Sequence, residues 1–280
     1  MTAGKLLTDS EARLSEAGVE EPGLNAQWLL ADAMGVERLR LLAEPDLPVP
    51  PAALKKFKAG LLRKEQGLPL AYILGWQDFR GLRIGVDERV LVPRPETEEL
   101  AGHAADFLAG RKGELSALDY GAGSGAIGLW LAHRFQGLRV TAAEISARAL
   151  ACARENAGEL GLASRMKFVK AATLGPLRGP FDVIVSNPPY IPTRVIPGLA
   201  PEVLSEPKVA LDGGSDGLDI ARMLTRLAPA RLKRGGALIL ELGGGQPKTL
   251  LAGLPDKLWK EKKMFRDICG IERFLFARKN

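Results

Sequence analysis

The sequence has little of what would build a disulfide framework or a metal centre. Its two cysteines, Cys152 and Cys269, lie far apart, with no CxxC or Cys/His spacing. This spacing disfavours both a disulfide scaffold and a structural zinc site, and it is typical of a protein from a reducing cytosol. The two histidines, His103 and His133, fall in predicted helices without acidic partners. We expect them to have packing or surface roles rather than catalytic ones.

Long apolar runs are also missing. No stretch approaches the roughly 18 consecutive apolar residues of a membrane-spanning helix. The first residues lead into no signal-peptide core, and there is no internal repeat or low-complexity tract. We therefore expect a cytoplasmic protein with no membrane partner, and we expect it to be a monomer.

The charge balance is basic, but no dense block of basic residues occurs. Lysine plus arginine exceed aspartate plus glutamate by 39 − 33 = 6, and the pI is about 9.4. This balance is compatible with an RNA-rich or ribosomal partner. Because the basic residues are scattered, we interpret them mostly as a solvated surface. A length of 280 residues with 46% hydrophobic residues predicts roughly two domains with a sizeable core.

The predicted domains differ in their patterns. Residues 1–75 have helical spacing and no catalytic constellation, which indicates a small helical domain for substrate recognition or support. Residues 76–93 are predicted to form a linker with a β-hairpin at Gly81. Residues 94–280 alternate between strand and helix patterns, which favours an α/β domain. Within it we expect a helix that ends near Lys233 and a turn at Gly235-Gly236.

The most informative stretch follows a predicted buried strand over residues 181–186. There the chain runs into Asn187-Pro188-Pro189-Tyr190, a stiff loop at the carboxyl end of the strand. Ligands bind at this edge of open α/β sheets. The Asn187 amide oxygen and the Pro188 carbonyl are two acceptors, and Tyr190 offers a flat face. Together these groups suit a planar –NH2 group.

A second loop has the residue types of a nucleotide site. The strand that ends at Tyr120 is followed by Gly121, Ala122, Gly123, Ser124 and Gly125 and then by a helix. Glycines let the backbone approach a ligand closely, and the acid Glu144 ends the next strand, where it can accept hydrogen bonds from ribose hydroxyls. This pattern alone suits NAD as well as S-adenosylmethionine. The Asn-Pro-Pro-Tyr loop favours S-adenosylmethionine, because it has no role in hydride transfer.

Asn-Pro-Pro-Tyr resembles the signature of amino methyltransferases that act on glutamine amides or nucleobase amines. Two further motifs make the resemblance specific: Pro-Leu-Ala-Tyr-Ile-Leu-Gly at 69–75 and Pro-Arg-Pro-Glu-Thr-Glu at 93–98. With them the chain resembles the release factor glutamine methyltransferases (the HemK/PrmC family) over about residues 69–278. The N-terminal domain matches only in size and helical character.

The resemblance implies an α/β fold: a Rossmann-like class I S-adenosylmethionine-dependent methyltransferase sheet with a reversed final hairpin. It implies that S-adenosylmethionine is used, giving S-adenosylhomocysteine, and that peptide-chain release factors are methylated on the glutamine of their Gly-Gly-Gln motif. No direct nucleic-acid target is expected. The implied catalytic residues are Asn187, Pro188 and Tyr190, and Pro189 joins them in binding substrate. The implied cofactor residues are Gly121, Ala122, Gly123, Ser124, Gly125, Glu144, Thr173 and Asn187.

The sequence departs from the family in two places. Ala172, before Thr173, stands where an acidic residue usually meets adenine, and Glu144 stands where aspartate is more usual. Three alternatives stay open: a methyltransferase for a ribosomal-protein glutamine, a nucleic-acid adenine N6-methyltransferase, and a non-catalytic translation-associated scaffold. The adenine enzyme would need a base-flipping pocket with a basic recognition region, and no such insertion is visible.

Overall fold

The computed structural model describes residues 1–280 and divides into two compact units. The first unit consists of Met1–Trp76 and Ala200–Ser205. Its helices are α1 (Ala3–Glu16), α2 (Pro22–Met34), α3 (Arg38–Ala43), α4 (Pro51–Glu65), α5 (Leu70–Leu74) and, numbered by its place in the chain, α9 (Pro201–Leu204).

Local chemistry explains where these helices begin and end. Both α2 and α4 have proline in the first turn, where no intrahelical hydrogen bond is lost. Helix α2 ends at Met34 and is followed by Gly35, whose φ of 65° is left-handed and suits glycine. The core of the unit contains fully buried Leu14, Leu30 and Phe57. Apolar burial of this kind is what stabilises short helices in water.

The late segment of the first unit is attached through a buried lysine. Lys64 on α4 has a side chain only 3% exposed, and its ammonium pairs with Glu202 of α9. The Ser205 hydroxyl donates to the Gly67 carbonyl at 3.3 Å. An unpaired ammonium would be costly to bury, so the Glu202 carboxylate stabilises Lys64 in the interior.

The second unit comprises Gln77–Leu199 and Glu206–Asn280. Ahead of its main sheet, β1 (Trp76–Phe79) and β2 (Leu82–Gly85) form a two-stranded sheet. Arg80 and Gly81 connect them with φ angles of 52° and 81°. Two consecutive positive φ angles are typical of a tight hairpin turn, so the hairpin predicted at Gly81 is present.

The main sheet has seven strands in the order β5-β4-β3-β6-β7-β9-β8. Strands β3 to β7 are parallel, and β9 pairs antiparallel with both β7 and β8. The predicted Rossmann-like α/β fold with a reversed final hairpin is thus confirmed. The strands are β3 (Leu115–Tyr120), β4 (Leu138–Glu144), β5 (Met166–Lys170), β6 (Phe181–Ser186), β7 (Leu232–Glu241), β8 (Trp259–Arg266) and β9 (Glu272–Lys279).

Helices flank this sheet, and its central strands form the core. The longer helices are α6 (Pro95–Ala109), α7 (Ala126–Arg134), α8 (Ala147–Glu159), α11 (Asp219–Leu227) and α12 (Gln246–Ala252), and a short α10 covers Lys208–Leu211. Every residue of β6 is buried. Its β-branched Val183, Ile184 and Val185 are fully inaccessible, as expected of a strand covered on both faces.

The prediction of a helix that ends near Lys233 is wrong. Helix α11 ends at Leu227, a 3-10 turn covers Ala228–Ala230, and Lys233 already lies in β7. Proline at 229 has no N–H and clashes with the preceding turn, which ends the α-helix. Gly235-Gly236 likewise lies inside β7 rather than before it. A Cβ on Gly236 would stand 2.9 Å from the Asp182 carbonyl oxygen, so glycine permits the close approach to β6.

Candidate functional site

A cavity of about 500 Å³ opens in the second unit, beside the carboxyl ends of β3, β4 and β6. This volume is in the usual range for small-molecule sites. Its lining comes from the glycine loop, the ends of β4, β5 and β6, and two segments that were not predicted as site residues. Among the lining residues are Tyr120, Gly121, Gly123, Glu144, Ile145, Ala172, Asn187, Pro189 and Val209.

The glycine loop places backbone, not side chains, against the cavity. Gly121, Gly123 and Gly125 have φ angles of 71°, 54° and 83°, which side chains rarely tolerate. Gly121 and Gly123 line the cavity. A Cβ on Gly125 would stand 3.2 Å from Cβ of Ala153, so this glycine serves packing. Ala122 and Ser124 are buried and, like Gly125, do not line the cavity.

Glu144 lies at the end of β4 and is almost fully buried. Its Oε2 accepts a hydrogen bond from the Gly123 amide at 3.0 Å, and its Oε1 accepts one from the Ser146 amide at 2.9 Å. Each carboxylate oxygen can accept further bonds, since an ionised carboxyl has about four acceptor positions. Glu144 therefore shapes the glycine loop and still presents acceptors to a ligand with hydroxyl groups.

Apolar groups dominate another part of the cavity. Ile145 and Val209 line it and are about half exposed, with 48% and 50% of their surface accessible. Ala172 also lines the cavity, and its carbonyl accepts a hydrogen bond from the Tyr120 hydroxyl at 2.8 Å. Thr173, which the resemblance implied as a cofactor residue, is exposed and outside the lining, and its hydroxyl accepts from the Gly175 amide. These apolar surfaces suit a flat heterocycle.

The Asn-Pro-Pro-Tyr loop leaves β6 directly beside the glycine loop. The Ser186 hydroxyl, at the end of β6, donates to the Tyr120 carbonyl at 2.6 Å and joins the ends of the two strands. Asn187 and Pro189 line the cavity, whereas Pro188 is buried and Tyr190 is outside the lining. The Tyr190 carbonyl accepts from Gln246 at 3.0 Å, and burial raises the pKa of its phenol to about 12. The Tyr190 phenol is therefore neutral near pH 7, and Gln246 holds its backbone.

The Asn187 amide is held from behind by two buried polar groups. Its Nδ2 donates to the Thr97 hydroxyl at 3.0 Å, and that hydroxyl donates to Glu241 Oε2 at 2.8 Å. Burial raises the pKa of Glu241 to about 7, against the lowering effect of the Thr97 hydrogen bond. Sequence reasoning missed both partners. For Thr97 the available signal was its place in the family motif at 93–98, and for Glu241 it was an acid at the carboxyl end of a buried strand.

Other residues near the site were also missed from the sequence. Arg89, Val90 and Leu91 and the segment 207–210 line the cavity. Arg94 pairs with the buried Glu206, whose other oxygen accepts from the Val92 amide at 2.8 Å. The segment at the start of α6 is thereby fixed in place.

Neither histidine lies in the cavity lining. His103 stacks on Phe265 with ring centroids 4.7 Å apart, and burial lowers its pKa. No group of three or more histidine, cysteine, aspartate or glutamate side chains is arranged to hold a metal ion. No helix is long and apolar enough to cross a membrane.

Comparison with known proteins identifies two family domains. Residues 5–75 match the model of the PrmC N-terminal domain, and residues 105–214 match that of the methyltransferase small domain. A release factor glutamine methyltransferase of Moorella thermoacetica is 44% identical over 251 residues, which cover 89% of this chain and 88% of the relative. The protein of that name from Deinococcus radiodurans is 41% identical and covers 98% of this chain and 97% of its own.

Solved structures share the fold. A methyltransferase from Pyrococcus furiosus superposes with a TM-score of 0.51 at 25% identity, over 71% of this chain and 90% of its own. The catalytic domain of hMettl16, in complex with an RNA hairpin, has a TM-score of 0.58 at 18% identity and covers 76% of this chain and 82% of its own. The 16S rRNA N2 G1207 methyltransferase of T. thermophilus, in complex with AdoMet and guanosine, has a TM-score of 0.52 at 21% identity and covers 73% of this chain and 50% of its own.

The parallel sheet with its reversed final hairpin, and the cavity between a glycine loop and an Asn-Pro-Pro-Tyr loop, define a class I methyltransferase. With 44% and 41% identity over most of its length to the two relatives, the chain belongs to the release factor glutamine methyltransferase family. The resemblance seen in its motifs is thereby confirmed.

Proposed function

We propose that this protein methylates the side-chain amide nitrogen (N5) of the glutamine in the Gly-Gly-Gln motif of peptide-chain release factors, with S-adenosylmethionine as methyl donor. The observation that carries the proposal is that Asn187 and Pro189 line the same cavity as Gly121, Gly123 and Glu144. An amide-binding loop and a nucleoside-binding loop thus share one space. Membership of the family supports the substrate.

The residues of the cavity fit S-adenosylmethionine. Glycine at 121 and 123 leaves room for the methionine part against the backbone, and the Glu144 carboxylate can accept hydrogen bonds from the ribose hydroxyls. Ile145 and Val209 would pack against the adenine ring. S-adenosylmethionine supplies a methyl group on a positively charged sulfur, and S-adenosylhomocysteine is the product.

The chain's own contribution is positioning. A carboxamide nitrogen is a poor nucleophile because its lone pair is delocalised into the carbonyl. When Asn187 Oδ1 and the Pro188 carbonyl accept its two hydrogens, the nitrogen is oriented and its lone pair becomes more available. Tyr190, a neutral ring just outside the cavity lining, would pack on this amide. Holding reactants in a near-attack geometry can supply up to about 7–11 kcal/mol. The amide nitrogen gains the methyl group as the bond from that methyl to sulfur breaks, and the one proton that the nitrogen must lose passes to water.

Release factors act at the ribosome, so this function requires access to the cytoplasm. We propose the monomer as the working form and no direct nucleic-acid target. The helical first unit, which matches the PrmC N-terminal domain, is our candidate for contacting the protein substrate.

Mass spectrometry of a purified release factor after incubation with the protein and S-adenosylmethionine tests the proposal. One added methyl group on the Gly-Gly-Gln glutamine is expected. Asn187→Ala should abolish it, and the control Gln136→Ala, which removes an exposed amide elsewhere, should not. A ribosomal protein and an RNA are incubated with the protein and S-adenosylmethionine in parallel, as alternative substrates.

The outcomes separate the alternatives. Methylation of the ribosomal protein alone would refute the release factor as substrate and favour the near relative. Methylation of RNA alone would assign the adenine class. If S-adenosylmethionine does not bind in calorimetry and no substrate is methylated, the protein is a scaffold and the proposal fails.

A further inference from the structure

We propose that Thr97 and Glu241 are positioning residues that fix which end of the Asn187 amide faces the substrate. The inference rests on the proposed function, because it assigns Asn187 Oδ1 as an acceptor for the substrate amide. It concerns two buried side chains outside the cavity lining, one on α6 and one at the end of β7.

The three side chains form one continuous chain of hydrogen bonds. Asn187 Nδ2 lies 3.0 Å from Thr97 Oγ1, and Thr97 Oγ1 lies 2.8 Å from Glu241 Oε2. Thr97 is 6% exposed and Glu241 is 1% exposed. Water therefore has little access to compete for these bonds, and a buried polar group left without a partner would be costly.

The direction of the chain follows from counting hydrogens. An ionised carboxylate only accepts, so the single hydrogen of the Thr97 hydroxyl must point to Glu241. The hydroxyl oxygen can then only accept on its other side, and Asn187 must turn its NH2 group toward Thr97. Its Oδ1 is left free for the substrate. Two remote residues thus decide that Asn187 offers an acceptor rather than a donor.

Protonation of Glu241 would allow the chain to reverse. A carboxylic acid can donate to Thr97, whose hydrogen would then point to Asn187 and require Oδ1 there. The NH2 group of Asn187 would face the substrate NH2, and two donors cannot pair. Burial raises the pKa of Glu241 to about 7, and the hydrogen bond from Thr97 opposes this rise. Among the charged groups around the carboxyl, Glu96 also raises the pKa, whereas Arg273 and Arg94 lower it. Tyr190, also nearby, is neutral in this range because its own pKa is raised to about 12.

The sign of the pH dependence follows. A glutamate with a raised pKa is protonated below about pH 7, where the chain can reverse, and ionised above it, where its direction is set. Methyl transfer by the wild-type protein should therefore rise as the pH increases through about 7. The substrate amide itself does not titrate in this range.

Steady-state kinetics with a release factor and S-adenosylmethionine test the inference with matched variants. Thr97→Val keeps the shape of the side chain and removes the hydroxyl, and we expect kcat to fall about 10- to 100-fold, as for a misplaced catalytic group. Thr97→Ser restores the hydroxyl and should recover most of the loss. Glu241→Gln still offers an acceptor but cannot ionise, so the rise of kcat near pH 7 should disappear. Binding of S-adenosylmethionine, measured by calorimetry, should change less than threefold in all three variants.

A second measurement does not depend on turnover. The chain has four asparagines, at 25, 156, 187 and 280, so selective ¹⁵N-asparagine labelling gives four pairs of side-chain NH2 signals. We expect the Asn187 pair, assigned with Asn187→Ser, to shift as the pH passes through about 7, and this shift to be absent in Glu241→Gln.

The results separate two kinds of failure. If the wild-type protein does not methylate a release factor, the proposed function fails, while the NMR signals still judge the orientation of Asn187. If Thr97→Val is folded and its kcat stays within twofold of the wild type, Thr97 does not position Asn187. An Asn187 signal that does not move between pH 5.5 and 8.5, or a pH profile unchanged in Glu241→Gln, would refute the role of Glu241.

Discussion

Glu144 gives the most direct test of the half of the cavity that we propose binds the nucleoside. In the protein its two oxygens accept the amides of Gly123 and Ser146 at 3.0 Å and 2.9 Å while the side chain lines the cavity. Glu144→Gln replaces one of these oxygens by an NH2 group. That group cannot accept from a backbone N–H or from a ribose hydroxyl, so the change acts on the loop and on the ligand together.

The magnitude follows from the hydrogen bonds lost. A bond to a charged acceptor contributes about 1.5–3 kcal/mol and a neutral one about 0.5–1.5 kcal/mol. Glutamine keeps one neutral acceptor for the two ribose hydroxyls, so binding should lose about 2–4 kcal/mol in total. At 1.4 kcal/mol for each tenfold change, the Kd for S-adenosylmethionine should rise about 30- to 700-fold.

Isothermal titration calorimetry measures this Kd directly. The matched control is Glu159→Gln, the same change of charge at an exposed position on α8. It should bind S-adenosylmethionine like the wild type. A Glu144→Gln protein with an unaltered melting temperature and a Kd within threefold of the wild type would refute the assignment of Glu144 to the ribose.

Two further predictions concern stability. Burial raises the pKa of Asp119 and of Glu241 to about 7, so the folded protein holds these protons more tightly than the unfolded chain. The stability that these raised pKa values contribute is full below about pH 4 and is lost as the pH rises through 7. In urea unfolding from pH 5 to pH 8, the wild type should therefore lose stability relative to Glu241→Gln. A difference in unfolding free energy that stays constant over this pH range would contradict the prediction. Asp182, 4% exposed, accepts from Arg111 at 3.0 Å and Lys233 at 2.7 Å. Asp182→Ala should cost about 3 kcal/mol in urea unfolding at pH 7, with Asp182→Asn intermediate, and a cost below about 1 kcal/mol would show that the pairs contribute little.

Short stretches of sequence predict several structural features of this protein. The β-branched run over Val183–Val185 predicts a buried parallel strand, and the prolines after Asn187 predict the stiff loop that the structure has there. The glycines at 121 and 123 likewise predict a close backbone approach and do line the cavity. These features depend on a few consecutive residues and on steric rules that hold in any fold.

Boundaries and partners of single residues were harder to predict. The helical pattern after residue 219 predicts a helix as far as Lys233, but the α-helix ends at Leu227, before Pro229, and β7 begins at Leu232. Thr173, next to the family's usual adenine contact, turned out to lie outside the cavity lining, whereas Ala172 lies in it. A difference of one position in a loop changes which side chain faces a ligand, and periodicity does not determine it.

The sequence by itself determined the class of sheet, the two loops beside the cavity and the family. Only the tertiary structure brought Thr97 to Asn187 across 90 positions and to Glu241 across 144. It also placed Ala200–Ser205 in the helical unit, where Glu202 pairs with Lys64. The physical reason is the same in both cases: a polar side chain loses water when it is buried and must find a partner, and that partner is chosen by which elements pack together, not by neighbours along the chain.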